Sequence, residues 1–264
     1  MTKFLLLSTF FFALPGNGWA TVVYSDTFNR ANSALLGTSP DIGGVWTITG
    51  TSVVSPLSIN ANEVNLVTTG QDAYSTLSSP TAPALYTSIS VKVTAAQTTG
   101  DYFFHLSDPA GTTSNFYQRL SARSGSAGTY TLGITSGAGT GAVITSGAAL
   151  NLGQTYQVVI AWNPVSGPLN DFFDIYVDPL DPVEANNTPY IDNAVWSGTN
   201  AEPTQIAAVN LRQGTGSAAP TLVLDNLKVA TSFGEVVVPE PMTSAFLLAG
   251  LGLQLCRRSR SRRV

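Results

Sequence analysis

Apolar and polar positions alternate through the middle of the chain. Leu85, Thr87, Ile89, Val91 and Val93 alternate with Tyr86, Ser88, Ser90, Lys92 and Thr94, the period of two expected of a strand with one buried face. Shorter runs rich in aromatic and β-branched residues predict further strands at 102–106, 116–120, 130–134, 156–162, 172–177, 206–211 and 221–229. Turn formers separate them: Thr98-Thr99-Gly100-Asp101, Asp108-Pro109-Ala110-Gly111, Ser136-Gly137-Ala138-Gly139 and Asn163-Pro164. Between the two ends no window carries a long apolar period of 3.6, and no repeat of fixed length occurs. The pattern predicts an all-β antiparallel sandwich or barrel, in a middle region long enough for one large domain or two small ones.

The two ends follow a different rule. Lys3 precedes the apolar stretch 4–14, then come Pro15-Gly16 and Gly18-Trp19-Ala20, the layout of a secretory signal peptide over residues 1–20. It implies delivery through an export translocon. At the other end, 242–256 is uncharged and apolar on all sides. A helix of that length spans roughly 22 Å, short for a bilayer core of roughly 30 Å. Arg257, Arg258, Arg260, Arg262 and Arg263 follow at once, a basic stop held on the cytoplasmic side. The expectation is a transmembrane helix in the inner membrane with everything before it outside.

Pro239-Glu240-Pro241, a short apolar helix and an arginine cluster, in this order, resemble the PEP-CTERM sorting signal of exported bacterial proteins. The resemblance covers 236–264: motif 239–241, helix 242–256, basic tail 257–264. It implies a partner, an exosortase-type sorting enzyme that recognises the motif and removes the tail, and a destination at the cell surface or in an extracellular matrix.

Composition narrows the middle, 21–235. Six basic residues face sixteen acidic ones between Asp26 and Glu240, a net charge of −10. Such a region is a poor partner for nucleic acid. The single cysteine, Cys256, lies in the tail, so the domain has no disulfide and no thiolate metal site.

Tyr24-Ser25-Asp26-Thr27-Phe28-Asn29-Arg30 with Trp46, Ile175-Tyr176-Val177-Asp178-Pro179 and Leu224-Asp225-Asn226-Leu227-Lys228-Val229 resemble strands of concanavalin A-like, laminin G-like jelly rolls. That resemblance implies a jelly-roll β-sandwich whose first and last strands are neighbours. It also motivates a structural calcium between them, held by Asp26 and Asp225. The acidic run Asp171, Asp174, Asp178, Asp181 and Glu184 has calcium-type oxygens but lacks the spacing of an EF-hand loop, and reads as solvated turns.

The only histidine, His105, lies in a strand with no serine elbow in the sequence, and reads as a strand residue facing solvent or neighbouring side chains. Glu63, Glu184, Glu202 and Glu235 form no carboxylate pair at alternating strand spacing, which removes the signature of laminarinase-type hydrolases. For sugar stacking the rings available are Trp46, Trp162, Trp196, Tyr74 and Tyr117. Trp196 lies in the polar segment Asp192-Asn193-Ala194-Val195-Trp196-Ser197-Gly198, so Trp196, Asp192 and Asn193 are the candidate carbohydrate site, and Trp162 reads as core. The expectation is an exported, non-enzymatic surface or matrix protein that binds carbohydrate, an extracellular polysaccharide being its partner. A polysaccharide-degrading enzyme and a ligand-free spacer are the alternatives.

Overall fold

A computed structural model describes residues 20–52, 54–137, 145–214 and 216–237. Apart from Ala20, the expected signal peptide lies outside the described residues, as do Pro239, Glu240, Pro241, the segment 242–256 and the five tail arginines. Among the described residues no helix is long and apolar enough to cross a membrane.

Seventeen strands are present among the described residues. The first nine are β1 (Val22–Asp26), β2 (Ser33–Ala34), β3 (Thr47–Thr49), β4 (Ser58–Asn60), β5 (Glu63–Leu66), β6 (Asp72–Thr81), β7 (Tyr86–Ala95), β8 (Asp101–Ser107) and β9 (Phe116–Ser124). Then follow β10 (Thr129–Thr135), β11 (Thr145–Ser146), β12 (Leu150–Asn151), β13 (Thr155–Asn163), β14 (Phe172–Val177), β15 (Ile191–Val195), β16 (Ile206–Leu211) and β17 (Thr221–Ala230). They form two antiparallel sheets. The larger runs β15-β14-β13-β7-β17-β5-β4-β2, with β1 also on β17; the smaller runs β11-β10-β9-β8-β16-β6-β3, with β12 on β10.

The eight strands expected from the sequence are β7, β8, β9, β10, β13, β14, β16 and β17. The first and last strands do pair: β1 lies against β17, Asp26 opposite Leu227. On β7 the expected inward row is buried. Leu85, Ile89, Val91 and Val93 join a core built from both sheets, while Thr87 bonds across that core to Gln118 Oε1 at 2.9 Å. The buried hydroxyl is tolerated because it has this partner.

Two aromatic clusters fill the sandwich. In the first, Trp162 on β13, Phe173 on β14, Tyr117 on β9 and Trp196 after β15 meet with ring centroids 4.9–6.4 Å apart. In the second, Trp46 packs edge-on against Tyr24 at 6.2 Å and beside Phe28 at 6.3 Å. Both indole N–H groups of Trp46 and Trp162 end on a carboxylate, Asp26 at 2.7 Å and Asp171 at 2.9 Å. A buried tryptophan keeps its polar handle satisfied in this way.

Short helix α1 (Phe233–Val237) follows β17 and lies on the outer face of the larger sheet. Phe233, Val236 and Val237 pack against Val159, Ala161, Tyr176 and Ala230. The packed chain therefore reaches two residues past the boundary at 235 expected from the sequence.

Candidate functional site

Two sequence expectations about sites change in the structure. Trp196 is only 7 % exposed. Its ring is a member of the first aromatic cluster and its Nε1 donates to the Asn200 carbonyl at 3.2 Å. Asp192 and Asn193 do face solvent on β15, but Trp196 presents no ring face beside them. The polar letters around Trp196 belong to a strand that exposes 192, 193 and 195 and turns Ile191 and Ala194 inward, which hides the strand from a reading of polarity alone.

Asp26 is fully buried. Its oxygens accept from Arg30 Nη1 and Nη2 at 2.9 and 2.8 Å, from Phe28 N at 2.8 Å and from Trp46 Nε1. Asp225 lies on the other face, in register with Ser90, and accepts from Asn226. Burial, with Glu63 nearby, pushes its carboxyl up to about 6. The pair expected to share a calcium ion is thus split between the core and the outer surface, and the Arg30 guanidinium holds the place of a cation beside Asp26. Among the described residues no group of three potential metal ligands comes together.

The acidic run is solvated turn only in part: Asp171 and Asp174 are buried, Asp174 within β14 itself, while Asp178, Asp181 and Glu184 keep access to solvent. Asp171 binds Trp162 and Val165, Asp174 binds Asn163 and Asn193, Asp178 binds Gln157 and Asp181 binds Val183 and Asn186. Glu184 accepts from the hydroxyls of Tyr86 and Tyr176.

A different site forms on the outer face of the smaller sheet. Cross-strand partners share a face. Asn210 on β16 pairs with His105 on β8 and Tyr74 on β6; Ala208 pairs with Ser107 and Thr76. Asp72 pairs with Thr49 on β3, and Ser107 with Phe116 on β9. Register irregularities in β8 put Phe103 and Phe104 both in the core and leave Tyr102 beside His105 outside. A hollow of about 310 Å³ results, lined by Thr49, Asp72, Tyr102, His105, Phe116 and Arg212 among others.

Three rings form its base. His105 lies 4.3 Å from Phe116 and 5.5 Å from Tyr102, centroid to centroid. Two guanidinium groups flank Tyr102: Arg212 at 4.1 Å and Arg119 at 5.2 Å from its ring centroid. Arg212 is paired with Asp101 at 2.7 Å. Asp72 accepts from Gln213 N at 2.8 Å, and burial raises its carboxyl above the ordinary range. Arg119 donates from Nη2 to the Gly137 carbonyl at 2.6 Å. A Cβ on Gly137 would sit 2.9 Å from the Trp196 ring, so only glycine fits where the core meets this face.

The hydrogen bonding of this face is incomplete. Eleven buried side-chain polar atoms of the described residues have no partner in the protein. Six of them lie on this one face: Thr49 Oγ1, both nitrogens of His105, Arg119 Nε, Thr131 Oγ1 and Asn210 Oδ1. Most buried polar groups in proteins are paired, so this face carries more than its share of unpartnered ones.

His105 is 3 % exposed. Burial, then the charges of Arg212 and Arg119, pull its pKa down to about 3. The ring is therefore neutral at physiological pH and offers one N–H donor and one acceptor. A depressed histidine contributes stability that is present above its unfolded value near 6.5 and is lost as pH falls toward 3. Relative to His105→Phe, the wild-type chain is expected to be about 2 kcal/mol less stable at pH 5 than at pH 7, at about 1.4 kcal/mol per pH unit. Urea melts of both chains at the two pH values check this.

The other outer face is simpler. Its hollow of about 400 Å³ is lined mainly by Ser25, Thr27, Ser88, Ser90, Gln157 and Lys228 beside α1, with no aromatic ring.

No protein-family model and no curated protein sequence matches this chain. Solved structures with similar shape exist. One is the CBM2 module of the evolved Dit protein of Lactobacillus casei BL23 phage J-1, 12 % identical over 81 % of this chain and 96 % of that one, TM-score 0.47. A second is domain 4 of AbnA, a GH43 extracellular arabinanase from Geobacillus stearothermophilus, solved with arabinotriose: 16 % identity, 83 % and 99 % coverage, TM-score 0.45. A third is a family 16 glycosyl hydrolase protein of Mycobacterium smegmatis, 11 % identical over 79 % and 100 %, TM-score 0.47. At these values the likeness is one of shape. The expectation of a non-enzymatic protein is corrected here: glycosyl hydrolase family proteins stand among the similar structures beside binding modules.

Proposed function

We propose that the outer face of the smaller sheet binds carbohydrate, on a jelly-roll protein exported by its N-terminal signal and sorted to the surface through its PEP-CTERM-like tail. The observation that carries the binding reading is the hollow in which Tyr102, His105 and Phe116 stand beside Asp72 and Arg212. Sugar recognition needs apolar ring surface together with a few placed donors and acceptors. This face supplies both; the Ser- and Thr-lined hollow of the larger sheet has no ring in its lining.

Asp72 favours a second reading, hydrolysis of the bound chain. It is a carboxyl with a raised pKa in the same hollow, and a raised carboxyl is what a general acid requires. One titration separates the two. Binding of the full chain to a polysaccharide panel, followed by calorimetry, is expected to weaken at least tenfold in Tyr102→Ala, about 1.4 kcal/mol or more. Unchanged affinity in that variant would sink the assignment to this face. Release of new reducing ends during the titration, abolished by Asp72→Asn, would move the reading from binding to hydrolysis.

A further inference from the structure

Arg119 is a half-buried cation of this face that forms no ion pair; the Asp101 carboxylate acts on it only from beyond ion-pair distance. Among the described residues the ion pairs are Arg30 with Asp26 and Arg212 with Asp101; Arg119 forms none. Its guanidinium is partly withdrawn from solvent, one nitrogen spent on the Gly137 carbonyl and Nε on nothing. A charge taken out of water without a partner is unfavourable, so the free protein holds this group at a cost that a bound anion would relieve. The surroundings make the position more pointed. Only six basic residues lie between Asp26 and Glu240, and three of them, Arg119, Arg123 and Arg212, stand on this one face, Arg123 in register with Thr131 and Arg119 with Thr135. An acidic domain has thus gathered half its positive charge beside its ring-lined hollow. His105 lines the same hollow, its ring packed against Phe116 and Tyr102.

Resting on the carbohydrate reading, we infer that the ligand is an acidic polysaccharide, whose carboxylate or sulfate groups are taken by Arg119 while a sugar ring lies over Phe116 beside Tyr102. Arginine suits this because its planar fork matches the two oxygens of a carboxylate or sulfate. The overall negative charge of the domain repels a polyanion at long range. Recognition therefore depends on this patch, and strands bearing no anion gain nothing from it.

The test uses the full chain with polygalacturonate and its carboxyl-reduced form, and with dextran sulfate and plain dextran. At least one polyanion is expected to bind tenfold or more tighter than its uncharged counterpart, with an advantage that shrinks as sodium chloride is raised. Which of the two wins separates carboxylate from sulfate. Arg119→Gln is expected to erase the advantage, and Arg119→Lys, which keeps the charge, to retain part of it. Equal binding of charged and uncharged polymers would overturn this inference and leave the carbohydrate reading standing. Binding of none of the four would overturn both. A thermal melt of each variant shows that the fold is intact, and the wild-type comparison decides the matter even if a variant fails to fold.

Discussion

Asp26→Ala is expected to cost about 3–5 kcal/mol, the range for breaking a buried ion pair from one side. In a domain of this size that lowers Tm by roughly 10 °C. The reason is the number of groups that converge on one carboxylate. Without it, the Phe28 amide and the Trp46 indole lose their acceptor, and Arg30 loses both oxygens at 2.8–2.9 Å. Arg30 keeps some access to water, its side chain being 21 % exposed, so the guanidinium recovers part of its loss. The indole and amide do not, because each buried donor left unpaired costs about 1–3 kcal/mol. Asp26→Asn keeps an acceptor and is expected to lose about half as much. Calorimetric melts of the three chains measure this directly. A melting temperature that rises with added calcium in the wild type and not in Asp26→Ala would contradict the structural role given to this residue.

Trp196→Ala is expected to lower stability by about 3–5 kcal/mol, the range for emptying a large aromatic site, while leaving polysaccharide affinity unchanged within twofold. Trp196 touches Trp162, Phe173 and Tyr117 at 6.2–6.4 Å between centroids, so its removal opens a cavity that the flanking rings cannot close without leaving their own contacts. The binding measurement separates the two roles a tryptophan in a polar segment can play. A binding defect with an unchanged melt would restore the stacking role.

The same residue shows where the sequence was legible and where it was not. Strands whose inward row is large and apolar, such as β7 and β13, declare themselves by alternation. The long strand β6 does not, because its inward row is Ala73, Ser75 and Leu77, two small side chains and one leucine. Strand β15 is masked by Asp192 and Asn193 on its outer side. The opening motif from Tyr24 to Arg30 with Trp46 was visible as a unit, yet its acid was read as a metal ligand. Only the structure shows that the unit is self-contained, with Arg30 four residues on supplying the positive charge. The hollow was not legible either. Its members, among them Thr49, Asp72, Tyr102, His105, Phe116 and Arg212, come from four strands and the end of a fifth, and from no common motif. The one available signal was weak: His105 and Arg119 are a lone histidine and a scarce cation on neighbouring aromatic strands.

The pairing of β1 with β17 has a mechanical meaning. The chain enters beside Thr21 and completes its last strand beside Thr231, and these two residues bond to each other twice at 3.0 Å. β17 is held along one edge by β7, and along the other by β5 at 222–224 and β1 at 227–230, end to end. A pull that separates the two ends therefore loads the β1 hydrogen bonds singly, from Val22 inward, as a zipper is opened, rather than shearing them all at once. The zipper closes at Asp26, where the next bonds to break are those to Arg30, Phe28 and Trp46. Tension across the ends thus meets a soft strand first and then a stop, and the sheet face that carries the hollow lies outside the path of the load.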